Sequence, residues 1–172
     1  EQNAVYRDYC DKLSVDYENV FSLDKIPFLP ISFFKTQQVV TTTFKPEIVF
    51  SSSGTTGMSP SHHYVKKLAL YEKSFLTGFK FFYGDPSQYT FLALLPGYLE
   101  RENSSLIYMI KKFIEISGSP DSGFFLNEYD NLYKTLVKLQ FQKKKVILFG
   151  VSFALLDFAE KYQFNFPELL VF

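Results

Sequence analysis

Directly after a short apolar run the chain reads Phe50-Ser51-Ser52-Ser53-Gly54-Thr55-Thr56-Gly57, five hydroxyl side chains and two glycines packed together. A surface turn needs one or two such residues. A polyphosphate needs several amide donors aimed inward, hydroxyls to fill the gaps, and no Cβ bulk where backbone approaches oxygen; residues 53–57 offer all three. The run is not a Walker A loop, because two residues rather than four separate its glycines and Met58 follows the second. Clusters of this composition also serve as plain solvated loops, so on composition alone both readings stand.

A second chemical pattern is Gly150-Val151-Ser152-Phe153-Ala154, a G-x-S-x-A run between an expected strand and an expected helix. That context mimics the nucleophile elbow of hydrolases and acyltransferases. Such a serine needs a base, ordinarily a later histidine, and the only histidines are His62 and His63, far upstream. A tight strand-to-helix turn is the simpler account of Ser152. The adjacent imidazoles of His62 and His63 diverge, with no partner at ligand spacing, so no metal site is expected. Glu100-Arg101-Glu102 reads as a loop rim in which Arg101 is a candidate anion contact. Cys10 reads as a small packed hydrophobe.

The elements that must position these groups follow from periodicity. Residues 3–13 carry apolar side chains at helical spacing, after which Pro27 and Pro30 break any longer helix, so 1–45 reads as a helical and extended arm. Residues 46–172 read as an α/β portion. Strands are expected over 47–50, 89–95, 145–149 and from 169, and helices over 64–83, 104–116, 130–142 and 153–162. Asn103 or Ser104 is the expected cap of the second of these helices and Gly118 its stop. The alternation predicts a mainly parallel sheet flanked by helices. Ligands in such sheets bind outside the carboxyl ends of the strands, so the loops 51–61, 96–105 and 150–152 are expected to border one cleft.

Ser52-Ser53-Gly54-Thr55-Thr56-Gly57 resembles the phosphate-binding loop of the adenylate-forming superfamily, which includes acyl- and aryl-CoA synthetases. The flanking order agrees: Val5-Tyr6-Arg7, then Leu23-Asp24-Lys25-Ile26-Pro27-Phe28-Leu29-Pro30, then the loop, looks like the phenylacetate-CoA ligase branch, and closest of all the acyl-protein synthetase branch. The run from Gly150 to Glu160 is similar to the segment beside that superfamily's acyl pocket. The resemblance covers the whole chain as the first part of a longer enzyme. It implies ATP and Mg2+ as cofactors, a carboxylic acid substrate, aryl or fatty acyl, and a thiol or protein acceptor. Members of the family convert the carboxylate to an acyl-adenylate with release of pyrophosphate, then pass on the acyl group.

On this resemblance Ser52, Ser53, Gly54, Thr55, Thr56 and Gly57 are the nucleotide contacts, and Val151, Ser152 and Phe153 lie at the acyl pocket. Catalytic residues cannot be assigned. Met58-Ser59-Pro60-Ser61 replaces the family's usual Pro-Lys-Gly, and its adenine, ribose and catalytic-lysine motifs have no counterpart here. The chain is therefore expected to be inactive alone. Two alternatives stay open: a serine acyltransferase or hydrolase using Ser152, and a non-catalytic binding module.

Bulk properties narrow the classes further. Eighteen basic and eighteen acidic residues cancel, which disfavours nucleic acid as a partner. A single cysteine excludes an internal disulfide and favours a reducing, cytoplasmic setting. No apolar run reaches the roughly 18 to 20 residues of a membrane span. The closing Leu169-Leu170-Val171-Phe172 reads as a strand cut short, and an exposed sheet edge there predicts homo-oligomers.

Overall fold

A computed structural model describes residues 2–52, 59–97 and 103–172. In chain order its elements are α1 (Ala4–Lys12), α2 (Phe33–Thr36), β1 (Ile48–Ser51), β2 (His62–Val65), α3 (Leu68–Tyr83), β3 (Tyr89–Leu94), α4 (Ser105–Ser117), β4 (Gly123–Phe124), α5 (Tyr129–Phe141), β5 (Lys145–Gly150), α6 (Ser152–Lys161) and β6 (Leu170–Val171). They fall into two compact units, Glu1–Tyr71 and Glu72–Phe172.

In the C-terminal unit β3 and β5 are the apolar runs YTFLAL and KVILFG, and each is buried on both faces. They pair in parallel from Tyr89 with Lys145 to Leu94 with Gly150, and short parallel partners complete the order β4-β3-β5-β6. The two-residue period of a strand sends alternate side chains to opposite layers. Leu92, Leu94, Val146 and Leu148 pack with Leu132, Leu136 and Leu139 of α5 and with Ala154 and Phe158 of α6. Phe91 and Ile147 pack with Phe79 of α3 and Phe113 of α4, while Ala93 and Leu95 pack with Ile107 and Ile110 of α4. The unit is thus a parallel sheet with helices on both faces, as the sequence predicts. Among the described residues no helix is long and apolar enough to cross a membrane.

The helix ends also match their sequence signals. The Ser104 side chain accepts from the Ile107 amide at 3.4 Å, and Gly118 closes α4 at φ 60°, a left-handed conformation that costs glycine little. α3 and α4 are tied by polar contacts. The Tyr108 hydroxyl donates to Glu72 at 2.5 Å, and Lys112 lies 3.6 Å from Glu72 and 3.4 Å from Glu115. Those carboxylates, Glu72 foremost, raise the Lys112 pKa above its usual value.

Two expectations are corrected at the N-terminal unit. Residues 47–50 were expected to feed the parallel sheet and 64–83 to be one helix, yet β1 pairs antiparallel with β2 in a separate two-stranded sheet, and α3 starts only at Leu68. The physical reason lies in Tyr64 and Val65. A β-branched and an aromatic residue just beyond a turn-rich loop extend as the return strand of a hairpin. Glu47 then caps α3, its carboxylate accepting from the Leu68 amide at 2.7 Å.

Candidate functional site

The hydroxyl- and glycine-rich segment lies between β1 and β2. Four cross-strand pairs, Ile48 with Val65 through Ser51 with His62, carry the chain up to it and away from it. Its neck is closed by two bonds between the same two residues: the Ser52 amide donates to the Ser61 carbonyl at 3.0 Å, and the Ser61 amide donates to Ser52 Oγ at 2.9 Å. Below the neck Ser51 Oγ lies 3.2 Å from His62 Nδ1, and Ser61 Oγ lies 3.4 Å from His63 Nε2. The His63 ring also stacks on Phe34 of α2 at 5.2 Å. Phe50, the buried aromatic of β1, packs on Tyr71 at 5.1 Å and anchors the hairpin beneath the loop.

Of the expected nucleotide contacts, Ser53, Gly54, Thr55, Thr56 and Gly57 lie outside the described residues, as does Arg101. Ser52 is described, and it closes the loop. Its amide and one of the two lone pairs of its hydroxyl oxygen are engaged with Ser61, and the hydroxyl proton is the group it can offer a phosphate. The pairing of Ser51 with His62 was missed in the sequence. Its signal was there: both residues flank the loop, and a hairpin register makes flanking residues neighbours.

In the C-terminal unit the strand order creates a switch point. From β3 the chain passes through α4 to β4 on one side, then through α5 to β5 on the other. The α3 and α4 layer covers one face and the α5 and α6 layer the other. Crevices for ligands in such sheets open where the two directions part, outside the carboxyl ends of β3 and β5. Val151 sits there, half-buried against Leu95 and Ile107. Ser152 is exposed as the first residue of α6, and Phe153 is 59% exposed beside it.

Gly150 has a structural reason for being glycine. A Cβ there would stand 2.6 Å from both Cγ and Cδ2 of Leu155, a closer approach than packed carbons tolerate. The glycine of the G-x-S-x-A run is therefore explained by packing of the first turn of α6. Both histidines, the only bases of their kind, belong to the N-terminal unit and are engaged with Ser51 and Ser61.

The remaining candidates have structural partners as well. Among the described residues no three His, Cys, Asp or Glu side chains gather to hold a metal ion. Cys10 is half-buried on α1, beside a groove of about 750 Å³ bordered by Tyr6, Arg7, Val20, Ile26 and Pro27. Desolvation, followed by the hydrogen bond to the Cys10 thiol, raises the Tyr6 phenol above its usual pKa. No protein-family model matches the chain, and no curated protein or solved structure matches it.

Proposed function

We propose that this chain carries the phosphate-binding portion of an ATP-dependent acyl-activating enzyme, with residues 52–57 cradling the nucleotide's phosphates. The observation that carries the reading is the closed neck of the hairpin loop. Reciprocal bonds between Ser52 and Ser61 hold together the two ends of a segment made of hydroxyls and glycines. Fixing the ends lowers the entropy cost of converging many small donors on one anion. ATP with Mg2+ would supply the adenylyl group that activates the carboxylate in this reading, with pyrophosphate as the leaving group. The chain's own residues bind and orient, Thr55 and Thr56 by hydroxyl and amide donation and Gly54 and Gly57 by letting backbone approach oxygen.

The proposed substrate is a carboxylic acid, aryl or fatty acyl, whose acyl group is handed to a thiol or a protein. Nothing among the described residues favours the alternative of Ser152 as a nucleophile. The test is nucleotide binding by titration calorimetry. The wild-type chain should bind ATP, Thr55→Ala/Thr56→Ala should bind at least about tenfold more weakly given roughly 1.5–3 kcal/mol for hydrogen bonds to a charged group, and Ser152→Ala should match wild type. Equal binding by the double variant would overturn the assignment of the loop.

A further inference from the structure

Residues 131–156 include five lysines and no acidic side chain, in a chain whose charges cancel overall. The lysines run along α5 and into the start of β5. Within α5, Lys134, Val137, Lys138 and Phe141 follow one another at spacings of three and four, which places them on one face of the helix. That face points outward, because Leu132, Leu136 and Leu139 turn the other one into the core. All four side chains are exposed, Phe141 at 88% and Val137 at 41%. Beyond the helix residues 142–145 are exposed as well. Lys138, Gln142 and Lys144 border one hollow of about 560 Å³, and Lys145 Nζ donates at 3.3 Å to Gln88 on the same rim. The lysine run and the end of α5 therefore meet at one place on the C-terminal unit.

The charge there is not neutralised. Asp121, the carboxylate on the rim, is engaged with Lys138 at 2.7 and 2.9 Å. Asp130 stands at the opposite end of α5 and is engaged with Lys161 at 3.1 Å. Lys134, Lys143, Lys144 and Lys145 make no ion pair among the described residues. Cations complement the carbonyl end of a helix, a role that one or two lysines fill. Four ammonium groups set around an exposed phenyl ring and an exposed valine exceed that role.

We propose that the outer face of α5, together with the lysine run that follows it, docks on an anionic lipid surface. Charge complementarity selects the partner: clusters of four or more lysines are drawn to the negative potential of such a surface, each adding to the affinity. Val137 and Phe141 also have a use there, since apolar side chains between lysines enter the boundary of headgroups and acyl chains. RNA would engage the lysines but gives Val137 no role. The face also carries no arginine, the side chain best shaped to clamp phosphate or read a base edge.

The test is co-sedimentation of the 172-residue chain with vesicles of equal parts phosphatidylserine and phosphatidylcholine, and with vesicles of phosphatidylcholine alone. Wild type should bind the first and not the second, and raising the salt should release it. Lys143→Gln/Lys144→Gln should weaken binding about 30-fold, and Phe141→Ser about tenfold. These residues are exposed, so circular dichroism of each variant should match wild type. Lys73→Gln/Lys111→Gln removes the same charge from α3 and α4, on the other side of the sheet, and should stay within about twofold of wild type. Equal binding to both vesicles, binding to neither, or an equal loss in the Lys73/Lys111 variant overturns the proposal. So does a Phe141→Ser variant with unchanged affinity, which would mark a site for polyanions such as RNA.

Discussion

Gly150→Ala should destabilise the C-terminal unit through one identifiable collision. The added methyl would lie 2.6 Å from Leu155 Cγ and Cδ2 and 3.1 Å from Cδ1, so the side chain as a whole must retreat by roughly 1 Å to reach ordinary carbon contact. Leu155 borders a hollow of about 490 Å³ shared with Phe158, Tyr162 and Leu169, which gives it somewhere to go. The penalty is then an overpacking cost of about 1–3 kcal/mol, toward the lower end. Urea unfolding followed by tyrosine near-UV circular dichroism should show a midpoint about 1 M below wild type. The collision disappears when Leu155 is shortened, so Gly150→Ala should add little in a Leu155→Ala background, a coupling of about 1–2 kcal/mol. A neutral Gly150→Ala, or a penalty unchanged by Leu155→Ala, would refute the packing account of this glycine.

Gly118 makes the contrasting case, because no atom lies within 4 Å of a Cβ built there and only its φ of 60° opposes a side chain. Gly118→Ala should cost about 1–2 kcal/mol of backbone strain in the same urea assay, and Gly118→Asn about half of that. A third prediction concerns acid. Asp85 accepts from the Ser87 amide at 2.9 Å and the Ser87 hydroxyl at 2.8 Å, and these bonds, the amide first, lower its pKa below the usual 3.8. The folded value lies below the unfolded one, so the stabilisation is complete above the unfolded value and is lost as pH falls through the lowered one. Asp85→Asn should remove that component, seen as a smaller loss of melting temperature in the variant between neutral pH and about pH 3.

The C-terminal unit was legible because its strands are buried on both faces. YTFLALL and KVILF are short apolar runs, rich in strand formers or ended by turn residues, that suit buried parallel strands, and Ser104 and Gly118 mark the ends of α4 as expected. β4 was missed because two residues, Gly123 and Phe124, carry no periodicity of their own. Tertiary pairing with Leu92 and Ala93 makes them a strand. β2 was missed for a different reason. His62-His63-Tyr64-Val65 runs almost directly into a helical pattern, and only the cross-strand bonds to Ile48–Ser51 separate the two. The candidate loop was visible from composition alone, whereas its closure by Ser52 and Ser61 depends on hairpin register, which a periodicity reading over 64–83 could not supply.

The most direct test of the proposed phosphate cradle is a crystal structure of the chain soaked with ATP and Mg2+. The account predicts a triphosphate seated against the amides and hydroxyls of residues 52–57, with the Ser52–Ser61 neck intact beneath it. A nucleotide whose phosphates lie elsewhere, or a loop whose amides turn away from the bound anion, would contradict it.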